Sequence, residues 1–209
     1  MVSAESLEER LERLESIEEI RGLAARYCLA LDMRATDAWV GLFPADVQVG
    51  RGRSGRAELA EWFRETMGDK FTGTAHVTGN HIIEFDGPDR ARGVVYSRNE
   101  HETGDEWVIM TMMYWDDYER TDGRWYFRRR LPLYWYATDL NAPPLGDNKM
   151  RWPDEEPYEG AWHEFWPTYR AFWESRLDEL ADVAEPAPVG EFLTWLRGGG
   201  EALPSVRVR

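Results

Sequence analysis

The stretch that decides the fold is residues 74–101, TAHVTGNHIIEFDGPDRARGVVYSRNEH. Here the apolar period drops from about 3.6 residues to 2, the alternation of a strand with one buried face. Thr74 to Phe85 reads as one strand, Asp86-Gly87-Pro88-Asp89 as a turn, and Arg90 to Glu102 as the returning strand. With Gly87-Pro88 at the hairpin tip, Asp86 faces Asp89. Stepping back along both strands sets His76 opposite Asn99, with His101 as its diagonal neighbour. The same face then carries Thr78, Asn80, Val95 and Ser97, a polar set for an inward surface. His81 has the other parity.

Downstream the alternation continues. Glu106 to Arg120 is a third strand and Arg124 to Tyr136 a fourth, joined by Asp122-Gly123, a dipeptide suited to a type I′ hairpin turn. Upstream the pattern is helical. Ser6-Leu7-Glu8-Glu9 has capping-box spacing. Leu7, Leu11, Leu14, Ile17, Ile20, Ala24, Tyr27, Cys28 and Leu31 follow at three- and four-residue steps, so a first helix ends near Asp32. A short helix beginning near Asp37 should turn Trp39, Leu42 and Phe43 inward until Pro44 stops it. Asp46 to Gly50 reads as a short strand and Arg51 to Arg56 as a turn. Ala57 to Met67 reads as a third helix with Leu59, Trp62 and Phe63 on one side. Helices first and an antiparallel meander afterwards predict an α+β domain, with the helices packed on one face of a curved sheet.

The totals narrow the function classes. The chain has 209 residues, 43% of them hydrophobic and 31% charged, as in a globular protein with a sizeable core. A net charge of −14 argues against nucleic acid as partner. The single cysteine, Cys28, excludes an internal disulfide and lies on the apolar stripe of the first helix, as core filler would. No segment approaches the roughly 18 apolar residues of a membrane span, and residues 1–19 lack a signal-like apolar run. The expectation is a cytoplasmic protein with no membrane partner.

Two histidines on one inner face suit proton transfer at neutral pH. They also suit a metal, with Asp32 or Glu100 as a third ligand, but no HxH, HExxH or cysteine pattern supports that. Asp32 needs a reason, because a carboxylate beside a helix C-terminus is electrostatically disfavoured. In Arg128-Arg129-Arg130, alternation separates Arg129 from its neighbours. Edge or surface charge is the plain reading of the run, and one arginine gripping a substrate anion is the functional one.

The stretch from Ile20 to Asp32, then Trp39, Leu42-Phe43 and Asp46-Val47, followed by Thr74 to Val77, Ile82 to Glu84 and Ala91 to His101, resembles the SnoaL-like branch of the nuclear transport factor 2 superfamily. The resemblance covers roughly residues 7–136. Scytalone dehydratase and bile-acid 7α-dehydratase belong to this branch and use a cone-shaped pocket without a cofactor. The resemblance implies a cone fold over residues 1–140, no cofactor, and Tyr27, Asp32, His76 and His101 as the catalytic set. A substrate would be bound by Asn99, Ser97, Arg129, Trp39 and Trp62. It implies a lyase acting on a bulky aromatic alcohol, by dehydration or by formaldehyde-releasing cleavage of a lignin-derived diaryl diol. An isomerase or polyketide cyclase on the same scaffold is the alternative. So is a non-catalytic subunit like the small subunit of a ring-hydroxylating dioxygenase.

Residues 141–209 depart from that pattern. Pro143, Pro144, Pro153 and Pro157 mark a linker, and Glu159 to Val183 reads as a helix interrupted at Pro167. Val189 to Leu196 reads as a short last helix. Trp162, Phe165, Trp166, Tyr169, Phe172 and Trp173 recur at helical spacing. The final hairpin is apolar on both faces, with Met110, Met112 and Tyr114 one way and Ile109, Met113 and Trp115 the other. A sheet of that kind must be covered on both sides. The expectation is a helical extension packed on the cone or on a neighbouring subunit, in a homo-oligomer such as a dimer or trimer.

Overall fold

The computed structural model describes residues 6–146, 149, 167–174 and 192–193. Helix α1 (Leu7–Asp32) opens with the capping box: Ser6 Oγ accepts from the Glu9 N–H, and the Glu9 carboxylate accepts from the Ser6 N–H. Its second half is buried through Ile20, Leu23, Ala24, Tyr27, Cys28 and Leu31. Its first turns differ from expectation: Leu7, Leu11 and Leu14 are exposed, because they lead into the sheet rather than lie over it. Helix α2 (Thr36–Val40) follows, then the two-residue strand β1 (Gln48–Val49), inside the expected strand, which pairs as a small hairpin with β2 (Arg53–Ser54), inside the expected turn. Helix α3 spans Arg56–Lys70.

The main sheet is an antiparallel meander in the order β3 (Gly73–Phe85), β4 (Arg90–Thr103), β5 (Glu106–Thr121) and β6 (Arg124–Asp139). Asp122 and Gly123 both adopt left-handed backbone, with φ of 50° and 75°, as a type I′ turn requires. The concave face receives the helices. Ile20, Leu23, Tyr27, Trp39, Phe43 and Phe63 pack there against Val95, Met110, Met112, Tyr114, Tyr118, Trp125 and Phe127. This is an α+β cone with helices on one face of a curved antiparallel sheet.

Three bulges determine which side chains enter the cone. In β3, Gly79 and Asn80 together oppose Tyr96, because Thr78 pairs with Ser97 and His81 with Val95. His81, Ile83 and Phe85 therefore turn inward and Asn80 turns out, which reverses the parity expected for both His81 and Asn80. In β6, Arg128 is the extra residue, since Phe127 pairs with Tyr118 and Arg129 with Asp117. Without it, the ladder running back from Asp122-Gly123 would place Arg129 opposite Asp116; with it, Arg130 takes that place. Trp135 is a third extra residue between the pairs Thr111–Tyr136 and Met112–Tyr134.

The outer face carries a second apolar cluster of Val94, Met113, Trp115, Leu131, Leu133 and Leu193. Leu193 is fully buried there, and its backbone N–H donates to Glu84 Oε1 at 2.6 Å. A residue from the C-terminal segment thus covers the outer sheet. Helix α4 spans Pro167–Glu174. Phe172 and Trp173 on it are 51% and 66% exposed, so this part of the aromatic stripe is not buried within the subunit. The other expected tail helix positions, with Trp162, Phe165 and Trp166, lie outside the described residues.

Removing the Leu193 side chain leaves a cavity against five apolar neighbours. Leu193→Ala should lower the unfolding free energy by roughly 2–4 kcal/mol, within the range for buried Leu→Ala changes. Urea unfolding of the full chain measures this. An unchanged midpoint would mean that the segment does not dock on the sheet.

Candidate active site

Asp32 ends α1 and faces β3. Its Oδ2 accepts the backbone N–H of His76 at 2.9 Å. Its Oδ1 accepts the Thr74 hydroxyl at 2.9 Å and lies 2.6 Å from His76 Nδ1. These donors are the reason a carboxylate survives at a helix C-terminus. Thr74 is itself held by Arg34, whose Nη1 donates to its hydroxyl at 2.7 Å and to the Leu31 carbonyl at 2.9 Å. Arg34 Nη2 donates to the Phe71 carbonyl at 3.3 Å. Arg34 has φ of 56°, the left-handed turn that brings its side chain back over the helix end. Nothing in the spacing of Arg34 or Thr74 singled them out from the sequence.

The His76 ring is 4% exposed and the Asp32 side chain 23%, so the pair sits just inside the rim. Burial lowers the His76 pKa, and Asp32 only partly offsets this. His76 is therefore neutral at pH 7. With Nδ1–H donated to Asp32, Nε2 carries the free lone pair of a base. His101 stands edge-on to His76, with centroids 5.3 Å apart, and its ring also meets Phe71 at 4.6 Å. Burial, then the neighbouring His76, brings His101 down to about 3, so it acts as a neutral imidazole.

Ser97 and Asn99 are buried beside this pair. Ser97 Oγ donates to Asn99 Oδ1 at 2.5 Å, and Asn99 Nδ2 donates to Met112 Sδ at 3.0 Å. Tyr27 packs on Trp39, Phe43, Tyr114 and Phe127, and burial raises its phenol to about 12, so it keeps its proton. Burial likewise raises Cys28 to about 11, which leaves an inert thiol. Glu100 bonds the Trp107 indole and pairs with Ala75 and Ile109, on the face away from the two histidines.

Two of the expected substrate contacts are not brought into the chamber. Arg129 is exposed on the outer face, for the reason given by the Arg128 bulge. Trp62 is 40% exposed and stacks on the outside of Trp39, which is itself buried in core.

Arg130 is buried in the core of the cone. Its side chain is 4% exposed, and its Nε lies 3.2 Å from Oδ1 of the fully buried Asp116. Its guanidinium sits 3.8 Å from the Tyr114 ring centroid, 4.2 Å from Tyr27 and 4.5 Å from Phe127. Burial opposes its charge, and Asp116 with the surrounding tyrosines more than restores it. Its field reaches across the chamber and helps lower both His76 and His81.

The family model for a SnoaL-like domain matches residues 12–131, more than half of the chain. The chain belongs to the SnoaL-like family. No curated protein gives a significant match to the sequence. Among solved structures, a protein of Novosphingobium aromaticivorans DSM 12444 provisionally named scytalone dehydratase is 24% identical. That alignment covers 69% of this chain and 98% of its own, with a TM-score of 0.56. LinA is 25% identical, over 65% of this chain and 99% of its own, with a TM-score of 0.59. The hexachlorocyclohexane dehydrochlorinase LinA-type3 from Novosphingobium barchaimii LL02 is 21% identical, over 64% and 96%, with a TM-score of 0.58. These likenesses show a shared fold that ends before the C-terminal extension. Among the described residues no helix is long and apolar enough to cross a membrane.

The buried rings make stability acid-sensitive. Burial lowers His76, takes His81 to about 4 and takes His101 to about 3, against an ordinary value of 6.5. Below pH 6.5 the unfolded chain binds protons that the folded rings refuse, so stability falls as pH drops towards their folded values. Asp116 opposes this, since burial raises it to about 6 from 3.8 and it gains a proton first in the folded state. One carboxylate works against three imidazoles, so the histidines win. Urea unfolding should give a lower free energy at pH 4.5 than at pH 7, and His101→Phe should shrink the difference. Equal stability at both pH values would contradict the buried, neutral state of these rings.

Arg34 and Thr74 generate a second expectation. Thr74→Val keeps the shape at that position but removes one donor to Asp32 and the link to Arg34. Loss of such an orienting partner typically costs 10–100-fold in a site's function. The drop should appear in kcat more than KM once turnover is measurable. An unaffected kcat would show that Asp32 is positioned by the His76 backbone alone.

Proposed function

We propose that this protein is a cofactor-independent lyase that removes water from a bulky, ring-bearing alcohol. The observation that carries this is the 2.6 Å Asp32–His76 contact just inside the rim of the cone, with the Arg130 cation buried in the same core. Lyase chemistry in the fold neighbours, as their names describe it, is consistent with this.

In this reading His76 Nε2 takes a proton from a carbon next to a carbonyl or an electron-poor ring. The electron pair moves onto the carbonyl oxygen, and an enolate forms. Asp32 accepts the Nδ1–H bond throughout and stabilises the imidazolium. The Arg130 charge, fixed in a ring-lined and poorly screened site, favours the oxyanion, as a preorganised dipole would. The Tyr27 phenol, protonated at working pH, is the chamber's neutral donor. When the electron pair returns, the adjacent carbon–oxygen bond breaks, and the departing hydroxide takes the proton from His76 as water. His101, neutral near His76, assists by hydrogen bonding rather than as a charged acid. Ser97 and Asn99 form a buried polar floor under the substrate. For a phenolic diaryl diol, His76 would take the phenol proton and give it to the benzylic hydroxyl, which leaves as water and a quinone methide; His76 would then take the proton of the terminal hydroxyl, the carbon–carbon bond would break with release of formaldehyde, and its electron pair would return the ring to a phenolate that takes the proton back.

The test is turnover of candidate aromatic alcohols and diols with mass detection of the product. Loss of water alone supports dehydration, and loss of water together with formaldehyde supports the cleavage variant. His76→Ala should retain the fold and lose about 10²–10⁴-fold in kcat, the usual scale of general acid–base help. Activity within tenfold of the native protein would remove His76 from the mechanism. A product of unchanged mass would make the protein an isomerase or cyclase.

A further inference from the structure

The Asp32–His76 pair leaves a second chain of buried polar groups on the inner face without a task. His81 Nε2 lies 3.1 Å from the Tyr118 hydroxyl. That hydroxyl donates to Asp116 Oδ2 at 2.9 Å, and Asp116 pairs with Arg130. Two local features produce the contact. The bulge at Gly79-Asn80 turns His81 inward. Gly93 makes room for the phenol: a Cβ there would sit 2.9 Å from Tyr118 Cε2 and 3.1 Å from its hydroxyl oxygen.

Counting protons fixes the form of His81. Burial holds the Tyr118 phenol well above its ordinary pKa, so it keeps its one proton. That proton goes to Asp116, whose ionised form the neighbouring Arg130 guanidinium favours. The Tyr118 oxygen can then only accept, so His81 donates from Nε2 and keeps a bare lone pair on Nδ1. The charged and titratable groups around His81 agree with a neutral ring: Arg21 from α1, Tyr118 and Asp116 from β5, and Arg130 from β6. Nδ1 has no partner among the described residues, and it is not one of the sealed, unbonded polar atoms. His81 lines a cleft of about 290 Å³ together with Arg21, Ala24, Thr78, Gly79 and Val95.

We propose that this cleft is a binding subsite for a hydroxyl group at the far end of an aromatic substrate, with His81 Nδ1 accepting its proton and Arg21 facing its oxygen. This rests on the reading of the cone as a substrate chamber. A hydroxyl is the group that fits, because it both donates and accepts; a phenol, the better donor, fits best. An ether offers no proton to Nδ1. A carboxylate meets its lone pair. His81 lies along β3 from His76, with one bulged residue between, at roughly 13 Å for strand steps of about 3.3 Å. That is the span of a two-ring molecule whose other end reacts at His76.

The experiment is calorimetric titration of the full chain with 4-phenylphenol, 4-methoxybiphenyl and 4-phenylbenzoate. The phenol should bind about tenfold more tightly than its methyl ether, the scale of one hydrogen bond of about 1.4 kcal/mol. His81→Phe should abolish that preference while still binding both. Tyr118→Phe, which frees the tautomer of His81, should weaken it. In the native chain, labelled with ¹⁵N-histidine, the bare His81 Nδ1 resonance should move on adding the phenol and not the ether. Equal binding of phenol and ether, a preference that survives in His81→Phe, or tightest binding of the carboxylate would overturn the proposal. None of these ligands carries a leaving group. A chain that shows the phenol preference but dehydrates nothing would therefore overturn the lyase reading and leave the subsite standing.

Discussion

The interaction on which the rest depends is the attachment of the α1 C-terminus to β3 through Asp32. One carboxylate takes a backbone N–H, a hydroxyl and a ring nitrogen from the same strand. This fixes the height of the helix over the sheet and the rotation of the His76 ring in a single contact. A partly buried carboxylate with fewer donors would not recover the solvation it gives up at the helix end. The contact thus tolerates little change, and Arg34 and Thr74 exist around it as support. Rotating α1 by one residue would withdraw Asp32 from β3 and Tyr27 from the Arg130 cage together.

Within that frame, β-bulges decide the chemistry of the chamber. A strand alternates sides strictly, so one extra residue exchanges every later side chain between core and solvent. The bulge in β3 keeps His76 and Thr78 inside and then brings His81 inside as well. The bulge in β6 keeps Trp125 and Phe127 inside and then brings in Arg130 in place of Arg129. The cone thereby gains a buried cation and a third imidazole that strict alternation would have left outside. Asp116, Tyr118 and Gly93 are complementary to that result: a charge, a hydroxyl and a gap, each where the displaced residues need it.

This explains which parts were legible in the amino-acid sequence. The hairpins, the helix ends and the pairing of His76 with Asn99 follow from local signals such as Asp122-Gly123, Ser6 with Glu9, and the change of period at Thr74. That pairing was reached although the turn is one residue longer than assumed, because the bulge at Gly79-Asn80 compensates for it. Beyond the bulge the compensation ends, and His81 and Asn80 exchange faces relative to expectation. Gly79-Asn80 was the available signal, since Gly inside a strand marks such sites. Arg130 gave no comparable signal: three consecutive arginines read alike, and only the tertiary fit of Asp116 distinguishes them. The apolar outer sheet implies a cover, and Leu193 lies in its apolar cluster. The spacing of Tyr169, Phe172 and Trp173 could not tell helix–sheet packing from an exposed stripe, because both use the same period.

The most direct measurement of the central claim is the tautomer of His76, read by ¹⁵N-histidine NMR on the full chain at pH 7. A base held by Asp32 must be neutral, with its proton on Nδ1 and an imine-type Nε2, the opposite of His81 in the same spectrum. Asp32→Asn should shift or mix that tautomer. A His76 that is doubly protonated at pH 7, or that carries its proton on Nε2, would have no lone pair where the reaction needs one and would contradict the account.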